Sequence, residues 1–193
     1  MKKLISFVIA AGFSLSVALL LSSPVNSEVV VNDNAPTAEL IAGYKQWTRV
    51  NAEPQVVASQ IAIQCAAPTL AQRQLEDGNP HRDKLIVVYV NEVGRAAMME
   101  QKKPVFPVGS IVVKEKLTTK ESAVPELLTV MRKREAGYDP ERGNWEYLVF
   151  DGPGKVLQAS GKLEKCQGCH QLEKNTDYIS RRYLPTDVWQ KLK

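Results

Sequence analysis

Trp145-Glu-Tyr-Leu-Val-Phe150, followed by Asp151-Gly-Pro-Gly154 and then Val156 to Ala159, is the stretch on which the fold class turns. The first six residues alternate in the period-2 manner of a half-buried strand. The next four make a tight turn, because glycine supplies positive φ and proline fixes its own φ. Val156 to Ala159 then return as another strand. A connection this short holds no crossover helix, so the two strands pair antiparallel. Working upstream, the turns Arg142-Gly143-Asn144 and Tyr138-Asp139-Pro140 separate this hairpin from a strand at Leu127 to Arg134. Ser110-Ile-Val-Val-Lys-Glu-Lys-Leu117 and the β-branched run Leu85-Ile-Val-Val-Tyr-Val90 read as two more, the latter buried. Pro104, Pro107 and Gly109 punctuate the chain before the Ser110 strand. Gly94 to Gln101 is expected as a short helix, and another is expected after Pro36-Thr37, its stripe continued by Tyr44, Trp47 and Val50. Residues 56–65 are apolar and fit either a helix or a strand. The expected fold is α+β, a mainly antiparallel sheet with a few peripheral helices.

Met1-Lys2-Lys3 gives a short positive segment, and Leu4 to Leu21 an almost unbroken apolar one, the layout of a secretory signal. Val25-x-Ser27 is a small-residue site before Glu28, so residues 1–27 are expected to be removed on export to the periplasm. The competing reading is an uncleaved anchor, since roughly 18 apolar residues is the lower edge of a bilayer span. Residues 28–37 read as a flexible mature N-terminus and 38–193 as one domain, long enough to bury its own core. The whole chain carries 25 basic and 21 acidic side chains, and losing Lys2 and Lys3 leaves 23 basic ones, close to neutrality. Charges of both signs intermix, as in Lys114-Glu115-Lys116, so there is no basic face to support nucleic-acid binding. Three cysteines are an odd number for an exported chain, which argues against a disulfide framework and towards a local use of the closest pair.

That pair lies in Cys166-Gln167-Gly168-Cys169-His170, the C-x-x-C-H pattern of covalent haem attachment, here of a single haem c. Two thiols three positions apart on a helical turn can each add to one vinyl group of the same porphyrin. The imidazole that follows reaches the iron from one side. Two alternatives compete. A thiol redox pair normally follows a strand in a thioredoxin-like unit, whereas this one is near the C-terminus. Zinc needs four ligands, and beyond the motif only Cys65 and His81 remain, at a spacing unlike any finger or ribbon. Cys65 itself reads as a buried thiol in an apolar run. Residues 171–193 contain neither Met nor His, so a sixth iron ligand would have to be His81, Met98, Met99 or Met131, each with an ordinary packing or surface role available. An open sixth position points to ligand binding or catalysis, because electron transfer is better served by two fixed axial ligands.

Val90-Asn91, Phe106-Pro-Val-Gly-Ser-Ile-Val-Val-Lys-Glu115, Gly143-Asn-Trp145, Cys166 to His170, and Thr176-Asp177 with Arg182 and Pro185 together resemble the cytochrome P-460 family, which includes the cytochromes c′-beta. The resemblance runs from about Tyr44 to Pro185. It implies a mainly antiparallel β fold, a homodimer, and a five-coordinate haem with His170 as proximal ligand. In P-460 members a lysine is bonded to a meso carbon of the porphyrin, and the enzymes oxidise hydroxylamine with a cytochrome as electron acceptor. The matching position is Lys114, whose alternative is a strand lysine on a solvated face. In the c′-beta branch the bond is absent and an apolar cap favours nitric oxide and carbon monoxide. Phe106, Phe150, Trp47 and Trp145 are the aromatic residues from which a cap would be drawn, and core packing is their ordinary role. Gln158 falls near a family distal position, where an amide can hydrogen-bond but is a poor base. Arg182 matches a family arginine and is a candidate donor to a haem propionate, with a surface role as the competing reading.

Overall fold

The computed structural model describes residues 37–56, 70–71, 74 and 84–192. The expected signal segment, the mature N-terminus up to residue 36, most of the 56–65 run with Cys65, and His81 lie outside the described residues. Every sequence-predicted strand is present: β3 (Leu85–Val90), β4 (Ile111–Leu117), β5 (Leu127–Lys133), β6 (Trp145–Asp151) and β7 (Leu157–Gly161). With two short strands, β1 (Thr48–Arg49) and β2 (Gln55–Val56), they form one antiparallel sheet in the order β1-β3-β4-β5-β6-β7, with β2 also paired to β3. The fold is α+β, as the hairpin implied. Its turn works by a finer division than two flexible glycines. Gly154 has φ 73°, whereas Gly152 is required for space, since a Cβ there would lie 1.8 Å from the Pro125 carbonyl oxygen.

The N-terminal helix is shorter than its stripe suggested. α1 (Thr37–Leu40) stops before Gly43, whose φ of 70° breaks the run, and after a 3-10 turn at Tyr44–Gln46 the chain becomes β1. Val50 therefore serves the sheet, its N–H donating to Val88 O at 2.8 Å. Burial on both faces of a sheet outweighed a helical spacing of only a few apolar residues. α2 (Glu92–Met99) begins two residues earlier than expected because Asn91 caps it. The Asn91 Oδ1 accepts from Gly94 N and from Ile111 N, and its Nδ2 donates to Gly109 O, which ties α2 to the start of β4.

Each face of the sheet carries its own core. Val87, Tyr89, Val113, Leu128, Leu148 and Phe150 pack on one side with Ile41 and Tyr44. Val88, Val90, Val112, Met131, Trp145 and Tyr147 pack on the other with Met98, Phe106, Tyr178, Ile179 and Leu184. Large side chains fully removed from water each contribute roughly 1.5–3 kcal/mol. The second face receives the C-terminal segment, α3 (Glu164–His170), a 3-10 stretch (Gln171–Thr176) and α4 (Thr186–Lys191). Among the described residues no helix is long and apolar enough to cross a membrane.

Candidate haem site

Cys166, Cys169 and His170 occupy positions i, i+3 and i+4 of α3, so the helical repeat sets all three on one face. That face closes a recess against the sheet. Val88, Val112, Lys114, Thr129, Met131 and Tyr147 line the sheet side, and Ile179, Ser180 and Tyr183 complete it from the C-terminal segment. Lys114 thus shares one recess with both cysteines and the histidine, although 52 residues separate it from Cys166 in the chain. It is half-buried, and its Nζ lies 5.2 Å from the centroid of the Tyr183 ring.

Alternation along β4 accounts for this placement. Val112, Lys114 and Lys116 share one side and Ile111, Val113 and Glu115 the other, and in register Lys114 stands between Val88 of β3 and Thr129 of β5. On the far side Glu115 is buried and accepts from Tyr44 Oη at 2.6 Å.

The opposite side of α3 anchors it. Gln167 is buried and its Nε2 donates to Asp139 Oδ2 at 2.7 Å, fastening the helix to the turn before β6. His170 Nδ1 is 2.7 Å from Tyr178 O. A carbonyl only accepts, so the proton is on Nδ1 and Nε2 keeps its lone pair. Burial, with the Lys114 charge nearby, pushes the His170 pKa down to about 4, so the ring is a neutral donor at ordinary pH. The Tyr147 ring packs 5.4 Å from the imidazole, centroid to centroid. Burial pushes the Cys166 thiol up, and the nearby Cys169 adds to this while Lys114 opposes it.

The residues present fit a haem. Two thiols spaced to reach porphyrin vinyl groups and an oriented, neutral imidazole that could face an iron are what a covalently held haem needs, and the surroundings are apolar. The Tyr147 hydroxyl is buried with no hydrogen-bond partner among the described residues. Leaving such a group unpaired costs about 1–3 kcal/mol, which an acceptor on a bound group would offset. Among the described residues no cluster of three or more His, Cys, Asp or Glu is arranged to hold a metal ion; Cys65 and His81, on which the zinc alternative turns, lie outside them.

Other residues singled out in the sequence fall elsewhere. Gln158 is exposed on β7 and does not line the recess. Arg182 is exposed and pairs with Glu173 at 3.1 Å. Phe106 and Trp145 pack edge to face at 5.5 Å in the core, and Phe150 is buried on the opposite face of the sheet. Of the possible sixth ligands, Met98 is buried on the inner face of α2, Met99 is its partly buried neighbour, and Met131 lines the recess. Tyr147, Tyr178 and Asp177 also belong to the site or its support, and no local pattern marks them as such. Only Thr176-Asp177 carried a signal, as part of the resemblance.

A cysteine pair and an oriented imidazole on one wall of an apolar recess define a cytochrome-type site. The family described as Cytochrome P460 matches residues 41–180, so the chain belongs to the cytochrome P460 family and is a haem-binding protein. A comparison with curated proteins finds no match.

Proposed function

We propose that this chain is an exported, periplasmic c-type cytochrome whose single haem keeps one iron position open for a small diatomic or nitrogen-containing ligand. Cys166 and Cys169 would carry the thioether bonds and His170, through Nε2, the iron. The observation that carries the reading is the meeting of Cys166, Cys169, His170 and Lys114 in one recess. A bound haem would supply a redox-active iron able to take nitric oxide, carbon monoxide or hydroxylamine. The chain's own part is to hold the imidazole through Tyr178 O, to exclude water with Val88, Val112 and Ile179, and to offer the Tyr147 hydroxyl as a donor. Arg182 could serve a propionate only by leaving Glu173.

Hydroxylamine oxidation, with a cytochrome as electron acceptor, is the second reading, and Lys114 beside the haem motif favours it. It needs a group that takes protons as electrons leave. None of the described residues lining the recess is a carboxylate, and Gln158 lies outside it. Ligand binding is therefore the leading function. A homodimer, as the family resemblance implies, belongs to the same reading.

Absorption spectra test both. A denaturing gel stained for haem should show colour that stays with the protein, and a colourless band from a host competent in cytochrome c maturation ends the proposal. A bond between Lys114 and the porphyrin would move the ferrous absorption well to longer wavelength, and Lys114→Ala would restore an ordinary haem c spectrum. An ordinary wild-type spectrum, with no haem-linked peptide containing Lys114, leaves the binding role alone.

A further inference from the structure

The carbonyl that accepts from His170 belongs to an unusual turn. Asp177 and Tyr178 are consecutive non-glycine residues with φ of 52° and 65°. The left-handed region is disfavoured by roughly 1–2 kcal/mol for each such residue, so the surroundings must impose it. Four separate segments do so, and most of their contacts converge on Asp177. Lys133 of β5 donates from Nζ to both carboxylate oxygens at 2.7 Å, as a largely buried ion pair. Phe106 N donates to Asp177 Oδ2 at 2.8 Å, and Trp145 Nε1 of β6 donates to Asp177 O at 2.8 Å. The Tyr178 hydroxyl donates to Glu141 O at 2.8 Å, and its ring lies over Gly143, where a Cβ would come within 2.6 Å of it.

We propose that Asp177 is a positioning residue for the axial imidazole: it locks the turn that delivers Tyr178 O to His170 Nδ1, and so sets the strength of the bond from Nε2 to iron. The inference rests on the assignment of His170 as the iron ligand. Its physical basis is that an imidazole donating from Nδ1 becomes the more basic at Nε2, and that partners one shell out from a metal fix ring orientation and ligand basicity. Asp177 touches neither the recess nor the ring. Its effect passes through one peptide unit, whose direction depends on the left-handed pair staying in place.

The experiment measures the ferrous iron–imidazole stretching frequency and the midpoint potential of the haem-loaded protein. Asp177→Ala should lower the frequency and raise the potential while haem staining on denaturing gels is unchanged. Asp177→Asn should recover most of both, since asparagine tolerates left-handed backbone and still accepts from Phe106 N. Trp145→Phe, which removes the bond to Asp177 O and shortens the ring packed on Phe106 but leaves the Asp177 side chain intact, should give a smaller shift in the same direction, and it carries the test if the alanine variant does not fold. Wild-type frequency and potential in either Asp177→Ala or Trp145→Phe, whatever happens to stability, overturn the inference. An iron–imidazole band that His170→Ala abolishes keeps the ligand assignment even then, whereas a wild-type protein with no His170-dependent band removes the assignment itself.

Discussion

His170 shows how much one side chain's environment decides. Its ordinary pKa is near 6.5, and burial beside Lys114 takes it to about 4 in the folded chain. The unfolded chain therefore binds the extra proton first, and folding loses stability as pH falls from about 6.5 towards 4. The contribution is fully present above that window and amounts to about 3 kcal/mol at most. Urea unfolding of the haem-free chain at pH 7 and pH 4.5 should show this loss, and His170→Asn should flatten the difference; an equal slope in both proteins would assign it to other groups. Met131 is the thioether that the fold brings to the recess, and in the proposed function it packs without binding iron. Met131→Leu should leave the ferrous protein high-spin and still able to bind carbon monoxide. Conversion from a low-spin wild type to a high-spin variant would make Met131 the sixth ligand and move the function to electron transfer.

At the scale of elements, α3 is held by a short list of contacts. It spans seven residues, too few to be stable alone in water, and Leu163 at its N-cap offers no side-chain bond. Its polar attachments include the buried pair of Gln167 and Asp139 and the contact of His170 with Tyr178 O. Gln167→Ala takes the amide donor from Asp139 Oδ2, leaving the carboxylate, among the described residues, only Arg142 at 3.8 Å, and should cost about 1–3 kcal/mol by denaturant midpoint. It should also raise the fraction of protein recovered without haem, because the cysteines no longer arrive together; an unchanged haem yield would mean that α3 is organised by its apolar side alone. The strands were legible for a different reason. Alternation in Trp145 to Phe150 and the turn at Asp151 to Gly154 are local signals, and β6 and β7 form from them almost residue for residue. The helix expected through Val50 failed because its spacing was satisfied equally by a turn followed by a strand, and only the pairing partner in β3 chose between them.

For the molecule as a whole, one sheet with a core on each face assigns the far side to packing and the near side to chemistry. Export is the remaining proposal at this scale: the mature protein recovered from a periplasmic fraction should begin at Glu28, and a band retaining Met1-Lys2-Lys3 in the membrane fraction would favour the anchor. The sequence by itself determined what is encoded within a few residues. That includes the strands and their antiparallel order, the C-x-x-C-H donor set, and the placing of Cys166, Cys169 and His170 on one helical face, because period and spacing are local properties. What only the tertiary structure decided are the meetings between distant residues. Lys114 comes to the haem motif, Met131 and Tyr147 enter the recess, Gln158 and Arg182 stay outside it, and Lys133, Phe106 and Trp145 converge on Asp177. Those placements depend on strand register and on a left-handed turn held from four directions. No local pattern carries that information, since the energy that fixes it comes from burial and hydrogen bonds between segments far apart in the chain.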